Sequence, residues 1–178
     1  TGEETMRCTL NGILNGQTYQ INVTAVNDIG QGAVATTTVE IPLIPYQLEI
    51  GGVVVTEENM DDVLGDGTVS LNPRTATLTL NNAHINVTEG NYGIRSKTAL
   101  KLELIGENSI TCSGVYGIHS TDDVTVSGSG SLDITANDVG IYIAGGYEVG
   151  GLYLKDDVTL NVTSGNVTSG NSYGVRVD

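Results

Sequence analysis

The chain has 178 residues and contains neither Phe nor Trp, so Val, Ile, Leu and Tyr must build its core. Its 21 acidic residues against 7 Lys and Arg give a formal net charge of −14. That balance argues against nucleic acid and anionic membranes as partners, because both bind basic patches. No stretch repeats apolar residues with helical spacing, so the sequence predicts an all-β protein.

Residues 1–41 carry a pattern of their own. They predict a first strand near Leu10, a long second strand with Ile21, Val23 and Ala25 facing inward, and a last strand over 35–41. Three strands leave an apolar face uncovered, so we expect this segment to fold only against a neighbour.

The pattern of residues 1–41 resembles the second half of a fibronectin type III domain. The resemblance implies that Tyr19 is the tyrosine corner of that family, with its hydroxyl tied back to the backbone. The residues that carry the resemblance are Leu10, Ile13, Tyr19, Val23, Ala25, Asn27 and Gly30.

A short link and a lead-in separate this segment from the rest. The two prolines of residues 42–45 predict an extended, stiff linker. Within residues 46–76, the pattern predicts a strand at 46–50, a second at 53–56 and one helical turn at 57–62. We interpret residues 46–76 as the N-terminal cap of the repeats that follow.

Residues 77–178 repeat a short strand of the form Tyr-Gly-Ile. Its register marks Ile94, Ile118, Ile141 and Val175 recur after 24, 23 and 34 residues. Such a period, with three short strands per repeat, predicts a parallel β-helix of about four rungs. Strand twist favours a right-handed coil. A sandwich of hairpins is the alternative, but the fixed period favours the β-helix.

From residue 46 onward the chain resembles a family of extracellular β-helix domains of gut Firmicutes and related Gram-positive bacteria. Some members of that family are described as carbohydrate-binding. The resemblance is carried by residues 53–56, 61–70, 72–77 and 78–83 and by the Tyr-Gly-Ile repeats. It implies a secreted or cell-surface, non-enzymatic protein and does not imply a particular ligand.

One row of outward side chains is the candidate binding site. If Ile94 faces the interior, alternation places Tyr92 and Ser96 inside with it and Arg95 outside. The tyrosines would then belong to the core, and the repeated glycines would form a bare outer strip beside the row. Arginine forks and aromatic rings at strand spacing suit sugars and uronate carboxylates, so acidic polysaccharides are the expected ligands. An ordinary solvated face is the alternative. The row comprises Arg95, His119, Tyr142 and Arg176.

Three further features bear on metal binding and thiol chemistry. Asp61, Asp62 and Asp66 share one loop and are calcium candidates, although recurring Asp-Asp pairs before strands favour turn capping. Cys8 and Cys112 are expected to be buried free thiols. Neither the cysteines nor the histidines have metal-ligand spacing, so no cofactor is expected.

The expected function is extracellular binding or adhesion by a bacterial cell-surface or secreted protein, with glycan recognition as the sharper form. A structural spacer within a larger surface protein is the first alternative. A polysaccharide lyase or hydrolase is the second, but Glu103 and Asp133 fall at different rung positions and predict no carboxylate pair. We expect no membrane insertion within this chain. We also expect it to continue into further domains, since the last rung has no predicted cap.

Overall fold

A computed structural model describes residues 9–11, 13, 17–41, 46–145, 150–165 and 172–178. These residues form strands, turns and bends without a helix, so the prediction of an all-β chain is confirmed. The chain divides into two compact units between Ile44 and Pro45. Cys8 and residues 42–45 lie outside the described residues.

The strands follow one another along the chain in this order: β1 Thr18–Asn27, β2 Gly30–Glu40, β3 Leu48–Ile50, β4 Val53–Val54, β5 Val69–Asn72, β6 Thr77–Asn81, β7 His84–Val87, β8 Tyr92–Ser96, β9 Leu100–Ile105, β10 Glu107–Cys112, β11 Tyr116–Ser120, β12 Val124–Gly128, β13 Ser131–Ala136, β14 Val139–Ile143, β15 Leu152–Leu154, β16 Thr159–Ser164 and β17 Tyr173–Val177.

The first unit contains an antiparallel hairpin of β1 and β2. Asn27 closes its turn, because the Oδ1 atom accepts hydrogen bonds from the backbone N–H groups of Ile29 at 2.9 Å and Gly30 at 3.2 Å. The predicted first strand is wrong for residues 9–11 and 13, which are not in a strand, and the last strand begins at Gly30, earlier than predicted.

The predicted inward row of β1 also needs correction. Ile21 is partly buried, whereas Val23 is 61% exposed and Ala25 is exposed. Pairing with β2 is regular through Thr24, so Val23 lies on the same face as Ile21 and is exposed there. The register shifts between Thr24 and Val26, and such a bulge breaks the alternation of faces at Ala25. The role of Tyr19 as a tyrosine corner stays a prediction.

The second unit contains the predicted β-helix of about four rungs. Each rung supplies one strand to each of three sheets, and equivalent strands of successive rungs pair in parallel. The first rung is β6, β7 and β8, and the second is β9, β10 and β11. The third is β12, β13 and β14, and the fourth is β15, β16 and β17. Leu, Ile and Val at equivalent positions stack inside, and the largest fully buried of them include Leu78, Leu102, Ile110, Ile134 and Ile141.

The lead-in pairs with the first rung in the opposite direction. β3 runs antiparallel to β8, and β5 runs antiparallel to β6. The predicted helical turn at 57–62 is wrong, because the segment forms successive turns instead. Asn59 fixes them by accepting a hydrogen bond from the Thr56 N–H at 2.8 Å and donating one to the Val54 carbonyl at 3.0 Å.

Asn108 connects three rungs at a corner of the coil. The residue is only 3% exposed. Its Oδ1 atom accepts a hydrogen bond from the Ala83 N–H at 2.8 Å, and its Nδ2 donates to the Ser131 carbonyl at 3.0 Å. Buried backbone groups need such partners where a strand ends. Cys112 is a buried free thiol, as predicted, and burial raises its pKa.

Candidate functional site

The four predicted site residues lie in one row on the six-stranded sheet. Arg95 on β8 pairs in register with His119 on β11, His119 with Tyr142 on β14, and Tyr142 with Arg176 on β17. The first three are half-buried and Arg176 is exposed. The parallel rungs therefore bring together side chains that are far apart in sequence.

The tyrosines belong to this outer face, which corrects the expectation that they are core residues. Tyr92 and Tyr116 are only half-buried. Their rings contact the row directly, with centroids 5.3 Å and 5.2 Å from the imidazole of His119. The outer face therefore carries two tyrosines that alternation had assigned to the interior.

The repeated glycines explain this arrangement, and the expectation of a bare glycine strip on the outside is wrong. Gly93 and Gly117 are buried. A Cβ atom on Gly93 would overlap the Ile110 side chain and lie 2.6 Å from the Gly117 carbonyl oxygen. Gly93 and Ile94 are both buried in succession, so the alternation of faces is interrupted there and Tyr92 shares the outer face with Arg95.

The rings stack into what we call the tyrosine ladder, formed by Tyr92, Tyr116 and Tyr142. The centroids of Tyr92 and Tyr116 are 5.6 Å apart with planes at 10°, and those of Tyr116 and Tyr142 are 5.3 Å apart at 17°. In the third rung Val139 occupies the position equivalent to Tyr92 and Tyr116. The ring that stacks next on Tyr116 is that of Tyr142, which belongs to the row of Arg95 and His119.

His119 packs edge-on against all three rings of the ladder. Its ring centroid lies 5.2–5.3 Å from each of them. Its Nδ1 atom is buried and has no hydrogen-bond partner among the described residues. Burial and, secondarily, the positive charge of Arg95 lower the pKa of His119. Both effects favour a neutral imidazole at the centre of the ladder.

An arginine lies at each end of the ladder, but the two are not equivalent. The guanidinium carbon of Arg176 is 5.2 Å from the Tyr142 centroid, and that of Arg95 is 5.0 Å from the Tyr92 centroid. Arg176 forms a 2.6 Å ion pair with Asp178, which also accepts a hydrogen bond from the Tyr142 hydroxyl at 3.0 Å. These contacts raise the pKa values of Arg176 and Tyr142 and lower that of Asp178. In the part of the chain that the structure describes, Arg95 has no ion pair.

This geometry determines which ligand contacts the row can make. Because the rings stack on one another, their faces within the ladder are covered, and their edges and hydroxyl groups remain for a ligand. The uncompensated guanidinium of Arg95 supplies donors for an anionic oxygen. The row therefore suits hydrogen bonding to hydroxyl and carboxylate groups better than stacking against the flat face of a sugar.

Two of the three calcium candidates, Asp62 and Asp66, act as turn caps. Asp62 Oδ1 accepts hydrogen bonds from the backbone N–H groups of Gly65 and Gly67, both at 2.9 Å, and Asp66 Oδ1 accepts one from the Thr68 hydroxyl at 2.6 Å. The contacts with Thr68 lower the pKa of Asp66. Among the described residues, Asp61, Asp62 and Asp66 form no group that could hold a metal ion, and no other such group of three or more His, Cys, Asp or Glu occurs there.

The acidic residues considered for polysaccharide cleavage lie on different sheets. Glu103 is on β9 and accepts a hydrogen bond from the Thr79 hydroxyl at 3.3 Å. Asp133 is on β13 and accepts one from the Asn161 amide at 2.7 Å. The two carboxylates therefore do not form the facing pair that glycoside hydrolysis requires.

Fold and site together define an all-β chain with a β-helix whose outer face carries an aromatic and cationic row. Within the described residues there is no helix of sufficient length and apolarity to cross a membrane. No family model, curated protein or solved structure matches the chain. The two family resemblances noted from the sequence thus stay predictions.

Proposed function

We propose that the chain is a non-catalytic extracellular module that binds glycans through the row of Arg95, His119, Tyr142 and Arg176 and the adjoining tyrosine ladder. The observation that carries the proposal is the concentration of rings and cations on one face of a chain with a net charge of −14. Tyrosine and arginine, together with tryptophan, are enriched among the residues that contribute most to binding at protein–protein interfaces.

The support beneath the row strengthens the proposal. The residues sit on a parallel sheet, where ring stacking and strand pairing hold the side chains in place. A ligand that meets a preordered surface loses less entropy in ordering it, so more of the contact energy appears as affinity. Secretion or display on a bacterial cell surface accords with the family resemblance of residues 46–178.

A structural spacer is the second candidate, and a specific observation favours it. Many side chains of the row already have partners within the chain, because Arg176 pairs with Asp178 and the rings cover one another. Arg95 distinguishes the two functions. A spacer has no use for a half-buried guanidinium that forms no ion pair within the described residues, whereas a binding module uses it to contact the ligand.

A glycan array tests the proposal. The unmodified protein is compared with the double variant Arg95→Ala, Tyr142→Ala and with the matched control Tyr153→Ala, Lys155→Ala. The control removes one tyrosine and one cation from the β15 region, on another sheet. We expect the unmodified protein and the control variant to bind acidic polysaccharides equally well, and the double variant to lose this binding. If no glycan binds, or if both variants bind equally well, the spacer function replaces this one.

The absence of catalysis is tested separately. Depolymerisation assays on pectin, alginate and β-glucans, with and without calcium, are expected to show no turnover. Turnover that disappears on Glu103→Gln or Asp133→Asn would establish the enzyme alternative instead.

A further inference from the structure

Beside Arg95 the lead-in strands and the first rung border a half-open pocket. Its lining residues are Gln47, Leu48, Glu49, Val54, Arg95 and Lys97. We propose that this pocket binds a uronate residue, with the carboxylate held by Arg95 and Lys97 and the sugar ring against the remaining wall. The inference rests on the proposed function and identifies where, and through which chemical group, the glycan is recognised.

The two cations are available to an anion. Neither Arg95 nor Lys97 forms an ion pair within the described ranges. Arg95 is held over the Tyr92 ring at 5.0 Å, and its Nε atom is buried with no hydrogen-bond partner among those residues. Because the Nε atom is shielded from solvent, the terminal Nη groups of Arg95 are the donors that a ligand in the pocket can reach. Arg176 differs in this respect, because Asp178 already pairs with it.

The pocket wall is held in place by backbone pairing. Glu49 lies opposite Arg95 across the antiparallel strands β3 and β8, and Val54 lies opposite Glu49 on β4. The Lys97 N–H donates a hydrogen bond to the Gln47 carbonyl at 3.1 Å. Gln47 itself has φ of 56°, a conformation that is unfavourable for a residue with a side chain and that recurs at ligand sites.

The chemistry of the wall fits a sugar ring better than a simple anion. Val54 is 51% exposed and offers an apolar patch to ring C–H groups. Glu49 and Gln47 can accept hydrogen bonds from the ring hydroxyl groups of a uronate, which a simple carboxylate such as acetate lacks. With two cations and one carboxylate, the lining carries a formal charge of +1, against −14 for the whole chain. A ligand with one carboxylate per ring complements that charge.

Isothermal titration calorimetry on the full chain tests the pocket, with a galacturonate trimer and a neutral galactose trimer as probes. We expect the acidic trimer to bind at least about tenfold more tightly, as one charge-assisted hydrogen bond accounts for roughly that factor. Lys97→Gln, at an exposed position, should weaken binding of the acidic trimer several-fold. Glu49→Gln should tighten it by about threefold, the scale of an exposed charge interaction. Lys155→Gln, on another sheet, should have no effect.

The outcomes separate this inference from the proposed function. If no glycan binds in calorimetry or on the array, both the proposed function and the pocket assignment are refuted. If both trimers bind equally, or if Lys97→Gln has no effect while Arg176→Gln abolishes binding, glycan recognition stands and the pocket assignment is overturned. Equal binding of an oligo-aspartate peptide of matched charge would also overturn the assignment to sugar.

Discussion

The guanidinium of Arg95 lies 5.0 Å from the ring centroid of Tyr92, three residues earlier on the same strand. On a regular strand, residues three apart face opposite sides of the sheet. The contact exists because the alternation of faces is interrupted at Gly93, which is buried together with Ile94. Both the tyrosine ladder and the proposed binding site therefore depend on a glycine that contacts no ligand.

Changing this glycine position in a central rung should destabilise the β-helix. In Gly117→Ala, the added Cβ would overlap the Ile134 side chain and lie 2.6 Å from the Gly140 carbonyl oxygen. We expect a loss of about 1–3 kcal/mol in the free energy of unfolding, as for other overpacked cores. Urea denaturation followed by circular dichroism measures it. The matched control is Gly174→Ala in the fourth rung, where the nearest atom is 3.7 Å away. If both variants lose equal stability, close packing is not the reason for the glycine.

The tyrosine ladder should contribute to stability as well as to binding. Tyr116→Ala removes two stacked ring pairs and the contact with His119. Since each aromatic pair contributes about 0.5–1.5 kcal/mol, we expect a clear decrease in the thermal midpoint. Tyr153→Ala, at a side chain 50% exposed, should change it little. Equal effects of the two substitutions would contradict the ladder's role in stability.

The corner at Asn108 should be sensitive to loss of its amide. Asn108→Ala leaves the Ala83 N–H without its acceptor at 2.8 Å, and an unsatisfied buried donor costs about 1–3 kcal/mol. Asn161→Ala removes an exposed amide and should change the free energy of unfolding by less than about 0.5 kcal/mol. Chemical denaturation of both variants compares them, and a neutral Asn108→Ala would show that water replaces the amide.

His119 should make the chain less stable in mild acid. Burial and the charge of Arg95 lower its pKa in the folded state, so the unfolded chain takes up a proton first as the pH falls below about 6.5. The unfolded state then binds more protons, and the free energy of unfolding decreases on acidification. The lowered pKa values of Asp66 and Asp178 act in the same direction only at lower pH, below about 4.

Urea midpoints measured between about pH 7.5 and 5.5 test this dependence. We expect His119→Gln to flatten the curve and His84→Gln to preserve it. A curve that is unchanged in His119→Gln would assign the acid sensitivity to another group.

The rungs could be predicted from the sequence because the apolar residues that form them recur at a fixed spacing along the chain. Leu102, Ile110 and Ile118 each lie at an apolar position that recurs with the period of the coil, and the structure buries all three completely. The same period placed Arg95 and His119 in one row. The strand register alone determines which residues of successive rungs lie side by side, so the row follows from the repeat without any side-chain contact.

The orientation of the tyrosines could not be predicted from alternation. A strict period of two assigns Tyr92 and Arg95 to opposite faces, and only the close approach of Ile110 to Gly93 shows where the strand departs from it. Alternation also fails at Ala25, which lies in the bulge between Thr24 and Val26 of β1. The pocket beside Arg95 depends on the antiparallel return of Glu49 on β3, a pairing that the parallel repeat does not indicate.

The most direct test of glycan recognition is an NMR titration that follows the imidazole C–H signals. The chain has only two histidines, and His84→Gln assigns the signal of His119. His119 touches all three rings of the ladder, whereas His84 lies on another sheet. On addition of a galacturonate oligomer, we predict that the His119 signal shifts and saturates while the His84 signal stays in place. Saturating glycan that leaves His119 unmoved would contradict binding at this face.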